Sequence, residues 1–302
     1  MKYVVKQCLF CRDKERLVEL YPQTFSSEDL TPEVFSARRT TEHFHYRIVR
    51  CTSCGLVFSR EVLPEEMLLN LYARSAVTFA AYTDVIRSDY WRTLEPHLGT
   101  NPRGRALEIG CSTGFFLEKL LLQGFQDVTG CEPSVEARQR AVPGIRDKIL
   151  AGFFKEGMFP RGSFDLVCSF QTLDHLHDPL ASLREARALL KPSGLGFFIT
   201  HNVESLQARI LRGRSPIFDV EHVYLFSKAT LRRGCELSGF TVVKSGDVSN
   251  SYPLEYWLRM IPLHQTVRNA TGVIFRKTRL GALRLPLKPG NIFVITQRPI
   301  GA

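Results

Sequence analysis

Leu107-Glu108-Ile109-Gly110-Cys111-Ser112-Thr113-Gly114-Phe115-Phe116 reads as an apolar strand that runs straight into a glycine-spaced turn, with a helix pattern following through Leu122. Gly110 and Gly114 carry no Cβ, so backbone N–H groups in this turn can approach a ligand closely. The spacing is Glu108-x-Gly110-x-x-x-Gly114, which differs from the dinucleotide pattern G-x-G-x-x-G.

Outward from this turn the chain alternates strand and helix patterns. Asn101-Pro102-Arg103-Gly104 is a breaker before the first strand, Arg105–Ile109. Helix is expected over Phe115–Gln123, strand over Asp127–Cys131, helix over Val135–Val142 and a strand near Lys148–Leu150. Strand Phe164–Phe170, helix Pro179–Leu190, strand Gly194–His201, helix Lys228–Ser238 and strand Phe240–Ser245 follow, with Asn291–Gln297 as a last strand. Such alternation predicts an α/β fold: a doubly wound, Rossmann-like parallel sheet with helices on both faces. Residues 252–287 interrupt it with apolar and basic stretches that read as helical. The organisation expected is a small ribbon over 1–60, a helical linker over 61–100 and the main domain over 101–302.

In an open α/β sheet the ligand sits beyond the carboxyl ends of the strands. The second strand ends Thr129-Gly130-Cys131-Glu132-Pro133-Ser134, where a carboxylate can accept both hydroxyls of a ribose. Two later stretches add to the pattern: Ser163-Phe164-Asp165 through Leu173-Asp174-His175-Leu176-His177-Asp178-Pro179, and Leu189-Leu190-Lys191-Pro192-Ser193-Gly194. With the glycine turn they cover most of residues 105–200, and together they resemble the class I S-adenosylmethionine (SAM) methyltransferases. The resemblance implies SAM as cofactor, held around Glu108, Gly110, Cys111, Gly114, Phe115, Glu132, Phe153, Phe170 and Gln171. The third-strand exit, Ala151-Gly152-Phe153-Phe154, lacks the acid that many relatives use for the adenine amino group, which leaves Phe153 as the expected adenine contact.

Cys8-x-x-Cys11 and Cys51-x-x-Cys54 form two CxxC pairs. Four thiolates so paired can close a tetrahedral structural zinc site, and Gly55 after the last ligand fits a zinc ribbon. Two disulfides conflict with a reducing compartment, and a redox CxxC needs no second pair. Cys111, Cys131, Cys168 and Cys235 lie in apolar stretches and read as small buried residues.

The start has no apolar signal region, and no window supplies the ~18 apolar residues of a membrane span. A reduced, cytoplasmic protein is therefore expected, with peripheral contact to a membrane as the variant of that reading. Of the formal charge of +10, the stretch after Glu255 contributes +8, through Arg259, Arg268, Arg276, Lys277, Arg279, Arg284, Lys288 and Arg298, with no acid. A basic segment over 256–298 can meet anionic lipid, a phosphate-bearing substrate or RNA.

Methyl transfer needs an aligned nucleophile and often a base. Glu221 and His222, in Phe218-Asp219-Val220-Glu221-His222-Val223-Tyr224, and His175 on the fourth-strand loop are expected to converge near the methyl. The ribbon, the Cys54-Gly55-Leu56-Val57 knuckle and the Glu-His pair together resemble sugar C-methyltransferases of deoxysugar pathways. That resemblance implies His222 as base, Glu221 as its partner and Tyr72 or Tyr82 as linker contacts to substrate. It departs from the family at Asp219, where a tyrosine is usual, and in the absence of a further C-terminal domain. The 252–287 insert looks more like that of polysaccharide and lipid-pathway methyltransferases, so the expected acceptor is a sugar, glycolipid or other small metabolite, methylated at carbon or oxygen. The alternatives are a zinc-ribbon RNA methyltransferase, which the scarcity of interleaved aromatics in the basic tail disfavours, and a non-catalytic SAM-binding module.

Overall fold

The alternating segments assemble, in a computed structural model of the chain, around one seven-stranded sheet. Residues 3–26, 28–30, 44–74, 83–99, 103–260 and 280–300 are described. Near the N-terminus lie strands β1 (Leu17–Tyr21), β2 (Ile48–Cys51) and β3 (Val57–Ser59), then helices α1 (Glu65–Ala73) and α2 (Thr83–Leu94). The main domain follows as β4 (Arg105–Ile109), α3 (Phe115–Leu122), β5 (Asp127–Glu132), α4 (Val135–Gln139), β6 (Ile149–Ala151), β7 (Phe164–Phe170) and α5 (Pro179–Leu189). It continues through β8 (Leu190–His201), α6 (Leu206–Leu211), β9 (Tyr224–Leu225), α7 (Lys228–Leu237), β10 (Thr241–Asp247) and β11 (Asn291–Gln297).

The sheet order is β10-β11-β8-β7-β4-β5-β6. Strands β4 to β8 pair in parallel, and β11 runs antiparallel between β8 and β10. The chain leaves β4 toward β5 on one side and reaches β7 on the other, so a crevice opens beyond their carboxyl ends. Side-chain alternation divides the core. Ala106, Leu166 and Cys168 pack with Phe116 and Phe197 in one cluster, while Leu107, Val167 and Phe198 join a second. Burial on both faces explains why these strands read as near-continuous apolar runs.

Helix starts follow local chemistry. Gly114, at φ 70°, precedes α3, and Ser134 Oγ accepts from Ala137 N ahead of α4. Asp178 Oδ1 accepts from Ala181 N at 2.9 Å, with Pro179 in the first turn of α5. Between the expected helix end at Leu190 and strand start at Gly194 the chain already runs in β8, with an irregularity there and Ser193 at φ 64°.

The sequence reading does not anticipate two features. The sheet of the N-terminal ribbon is completed by β9, in the order β9-β3-β2-β1, so the ribbon shares a sheet with the main domain. Its Cys8, Leu56 and Phe58 belong to the same core cluster as Leu183, Phe226 and Leu231 of the domain. In the segment expected to be helical, 252–287, the ends instead pair as antiparallel strands, Asn250–Pro253 with Arg284–Leu287. Helix covers Leu254–Met260, while 261–279 fall outside the described residues. No helix among the described residues is long and apolar enough to cross a membrane.

Candidate active site

A cavity of about 1390 Å³ opens at the carboxyl ends of β4, β5 and β7. On its donor side the turn after β4 is tied back by Gly110 N and Cys111 N, which donate to Cys131 O at 3.0 and 3.1 Å. An added Cβ on Gly110 (φ 72°) would meet Thr172 Oγ1 at 2.4 Å, so both the backbone and the space there require glycine. Cys111 points into the core against Gly130, so any ligand contact it makes is through its backbone. Phe115 and Phe153 line the cavity, half-buried. Phe170 edges the cavity but sits mainly in an aromatic cluster, 4.8 Å from both Tyr90 and Phe116 between ring centroids. Gln171 follows at φ 49°, a strained turn held by Gln171 N donating to Ile199 O at 2.7 Å.

Two carboxyls serve this side. Glu132 Oε2 accepts from Ser112 N and Oε1 from Ser134 N, both at 2.8 Å, which fixes the group and leaves lone pairs toward the cavity. Burial raises its pKa, and the two amide bonds work against that. Glu108 is 1 % exposed, its pKa is pushed well up by burial and by Glu132, and its Oε2 has no hydrogen-bond partner among the described residues. An unmatched buried acceptor beside a fixed carboxylate suits a ligand that carries both hydroxyls and positive charge. These are the donor groups of SAM, and the residues present fit it.

The acceptor side is built around Asp174, which the sequence reading quotes without assigning a role. His201, His175 and His222 surround its fully buried carboxyl. His201 Nδ1 donates to Asp174 Oδ2 at 2.7 Å, while His222 Nε2 lies 3.8 Å from Oδ2 and His175 Nε2 3.9 Å from Oδ1. His222 Nδ1 donates to Ile217 O at 2.8 Å, which places its remaining lone pair on Nε2. The Tyr72 hydroxyl lies 2.6 Å from His175 Nδ1 and donates to Glu221 O at 3.0 Å. Burial alone would raise the pKa of Asp174, but the histidines, His175 foremost, hold it well below the usual carboxylate range. Burial pushes His175 down to about 3, against the pull of Asp174, and lowers His222 in the same way.

His222, His175, Glu221 and Tyr72 therefore line one cavity with the donor residues. The carboxylate beside His222 is Asp174, however; Glu221 meets Tyr72 through its backbone carbonyl, and its side chain is buried with a pKa pushed well up by burial and by Asp219. Tyr82 falls outside the described residues. Sequence reasoning missed His201 and Asp174. The available signal was position: His201 ends a strand at the sheet's carboxyl edge, and Asp174 leaves another.

The four ribbon cysteines converge, with Sγ atoms all within 4.8 Å of one another and no disulfide among them. Cys8 Sγ lies 3.4 Å from Cys54 Sγ, close to the ~3.8 Å that tetrahedral bonds of about 2.3 Å to one zinc would give. Gly55 (φ 78°) turns the chain after Cys54, and Arg12 (φ 56°) does so after Cys11.

Curated relatives match about half of this chain. Residues matching the tRNA U34 carboxymethyltransferase of Alcanivorax borkumensis are 29% identical over 185 positions, 57% of this chain and 58% of the relative. The enzyme of the same name from Actinobacillus succinogenes is 27% identical over 169 positions, 53% of each. The chain thus spans about half the length of the curated relatives it matches. Among solved structures, a methyltransferase chain from Haloferax volcanii, in complex with the Trm112 methyltransferase activator, superposes with a TM-score of 0.51. It is 18% identical and covers 74% of this chain and 96% of its own. That likeness bears on fold alone.

These relatives overturn the sugar, glycolipid or small-metabolite acceptor expected from sequence, because the name they carry specifies a tRNA. The glycosyl partner goes with it, as does the ranking of nucleic acid below it, and nothing among the described residues supports the anionic membrane surface. The physical reason is that the glycine turn, the strand-end acid and the fourth-strand exit, on which the sequence reading rests, are patterns expected of a donor site, and donor motifs do not discriminate acceptors. Residues 84–245, more than half of the chain, match the family described as Methyltransferase domain, and the chain belongs to that family, with the fold of the class I SAM-dependent methyltransferases.

Proposed function

We propose that this chain transfers a methyl group from SAM to a tRNA, working in the cytoplasm. The observation that carries the reading is the name shared by its relatives, tRNA U34 carboxymethyltransferase. Two features support it. The formal charge of +10 favours a phosphate-rich partner. Tyr252, Tyr256 and Trp257 line the cavity, with the two tyrosine rings 4.1 Å apart, and an unstacked base can lie against such surfaces.

In this reading Glu132 holds the ribose hydroxyls of SAM, Glu108 faces its positive charge, and the Gly110–Gly114 turn gives its carboxylate end backbone N–H groups. Bound SAM supplies an electrophilic methyl. His175 and His222 carry the acceptor side, with the Asp174 carboxylate between them, Tyr72 fixing His175 and the Ile217 carbonyl fixing His222. Cys8, Cys11, Cys51 and Cys54 hold a structural zinc with no open position, so residues 1–60 brace the domain and take no part in chemistry.

The test is transfer of label from methyl-labelled SAM into an extract separated into tRNA, small polar and lipid pools. Label in tRNA, lost in His222→Ala with SAM binding kept, is the expected result. Label confined to the other pools would sink the proposal. The mass of the modified nucleoside separates methyl from carboxymethyl transfer.

A further inference from the structure

A buried carboxylate is left short of partners at the acceptor end of the cavity. Asp174 is 0 % exposed; among the described residues its carboxyl accepts one hydrogen bond, from His201 to Oδ2, and its Oδ1 has no hydrogen-bond partner. An ionised carboxylate so placed calls for a cation. His175 Nε2 and His222 Nε2 lie 3.9 and 3.8 Å from its two oxygens, too far for hydrogen bonds. Their Nδ1 atoms are already engaged, by the Tyr72 hydroxyl and the Ile217 carbonyl, which turns the Nε2 lone pairs toward Asp174. One carboxylate oxygen and one ring nitrogen of each histidine lie within 4.8 Å of one another. Ligands bound to one ion at about 2.0–2.2 Å stand roughly 3–4 Å apart, so the gap is the size of a metal ion.

We propose that Asp174, His175 and His222 form a second metal site, for a divalent transition ion. Two imidazoles and one carboxylate suit Zn²⁺, Co²⁺, Mn²⁺ or Fe²⁺ and leave coordination positions open. His201 completes the site as a positioning residue, because its Nδ1–H fixes the carboxylate as outer hydrogen bonds fix metal ligands elsewhere. His175, His201 and His222 line the cavity while Asp174 lies behind them, so the open positions face the acceptor. The ion holds an oxygen of the acceptor there. That role rests on the cavity being the active site; the existence of the metal site does not depend on the acceptor.

The test is a titration of the full-length chain, zinc in its ribbon, with Co²⁺, read by elemental analysis and visible absorption. Two metal ions per chain are expected at saturation. The second shows the weak bands of nitrogen and oxygen ligands, without the thiolate charge-transfer band that Co²⁺ in the ribbon would give. Asp174→Asn and His222→Gln lose the second ion and keep the first, and His201→Ala weakens it about 10–100-fold. If Asp174→Asn does not fold, the two histidine variants carry the test. One ion per chain, or a second ion unaffected by these variants, overturns the proposal. A second ion without any labelling of tRNA leaves the site standing and removes the acceptor proposed above.

Discussion

At Gly110 the backbone is left-handed and Thr172 stands where a side chain would go. Gly110→Ala is therefore expected to abolish SAM binding and to lower stability by about 1–3 kcal/mol, seen by calorimetry and thermal melting. Glu132 makes a different kind of contribution. Its two amide bonds orient it, so Glu132→Gln keeps the shape but loses an acceptor and the charge. Charged hydrogen bonds contribute about 1.5–3 kcal/mol, and SAM affinity should fall about 10–100-fold in a binding titration. Both residues are legible in the sequence because a glycine turn and a strand-end acid act within a few positions of each other. Asp174 and His201 are not, since they lie 27 residues apart and meet because β7 and β8 pair side by side. Tyr72→Phe tests that long-range constellation: turnover should drop with SAM affinity unchanged, because only the hydroxyl between His175 and the Glu221 carbonyl is lost.

Among the elements, the ladder between β3 and β9 ties the ribbon to the catalytic side. Tyr224 pairs with Phe58 and Leu225 with Val57. Ser59 Oγ donates to His222 O at 2.7 Å, and Ser59 N to Val223 O at 2.9 Å. The ribbon knuckle at Cys51–Cys54 leads directly into β3, so a metal there would hold the strand that backs His222. Removal of the ribbon metal by a chelator should lower the melting temperature and the turnover together, with SAM affinity less affected. Ser59→Ala should cost about 1–3 kcal/mol in denaturant unfolding, because a buried carbonyl loses its donor. The CxxC pairs announce the cluster of four cysteines, but β9 is only two residues long and has no periodicity of its own, so the shared sheet was not readable.

For the whole molecule, charge is the property that reaches beyond any element. If the acceptor is tRNA, binding should weaken steeply and linearly on a log–log plot as salt rises, because each neutralised phosphate releases counterions. A salt-independent affinity would argue against it. The family, the sheet, and the glycine turn and strand-end acid that line the cavity were legible in the sequence alone, because each is encoded in short range: alternating burial, a positive-φ glycine, an acid at a strand end. The acceptor was misread as a glycosyl group on the strength of a knuckle and a Glu-His pair, local patterns that do not encode what enters the cavity. Only the tertiary structure showed that Asp174, and not Glu221, faces His222, that His201 joins them, and that the ribbon's last strand comes from the catalytic domain. Those contacts join residues brought together by the packing of the sheet, and no local pattern specifies which distant partners that packing will select.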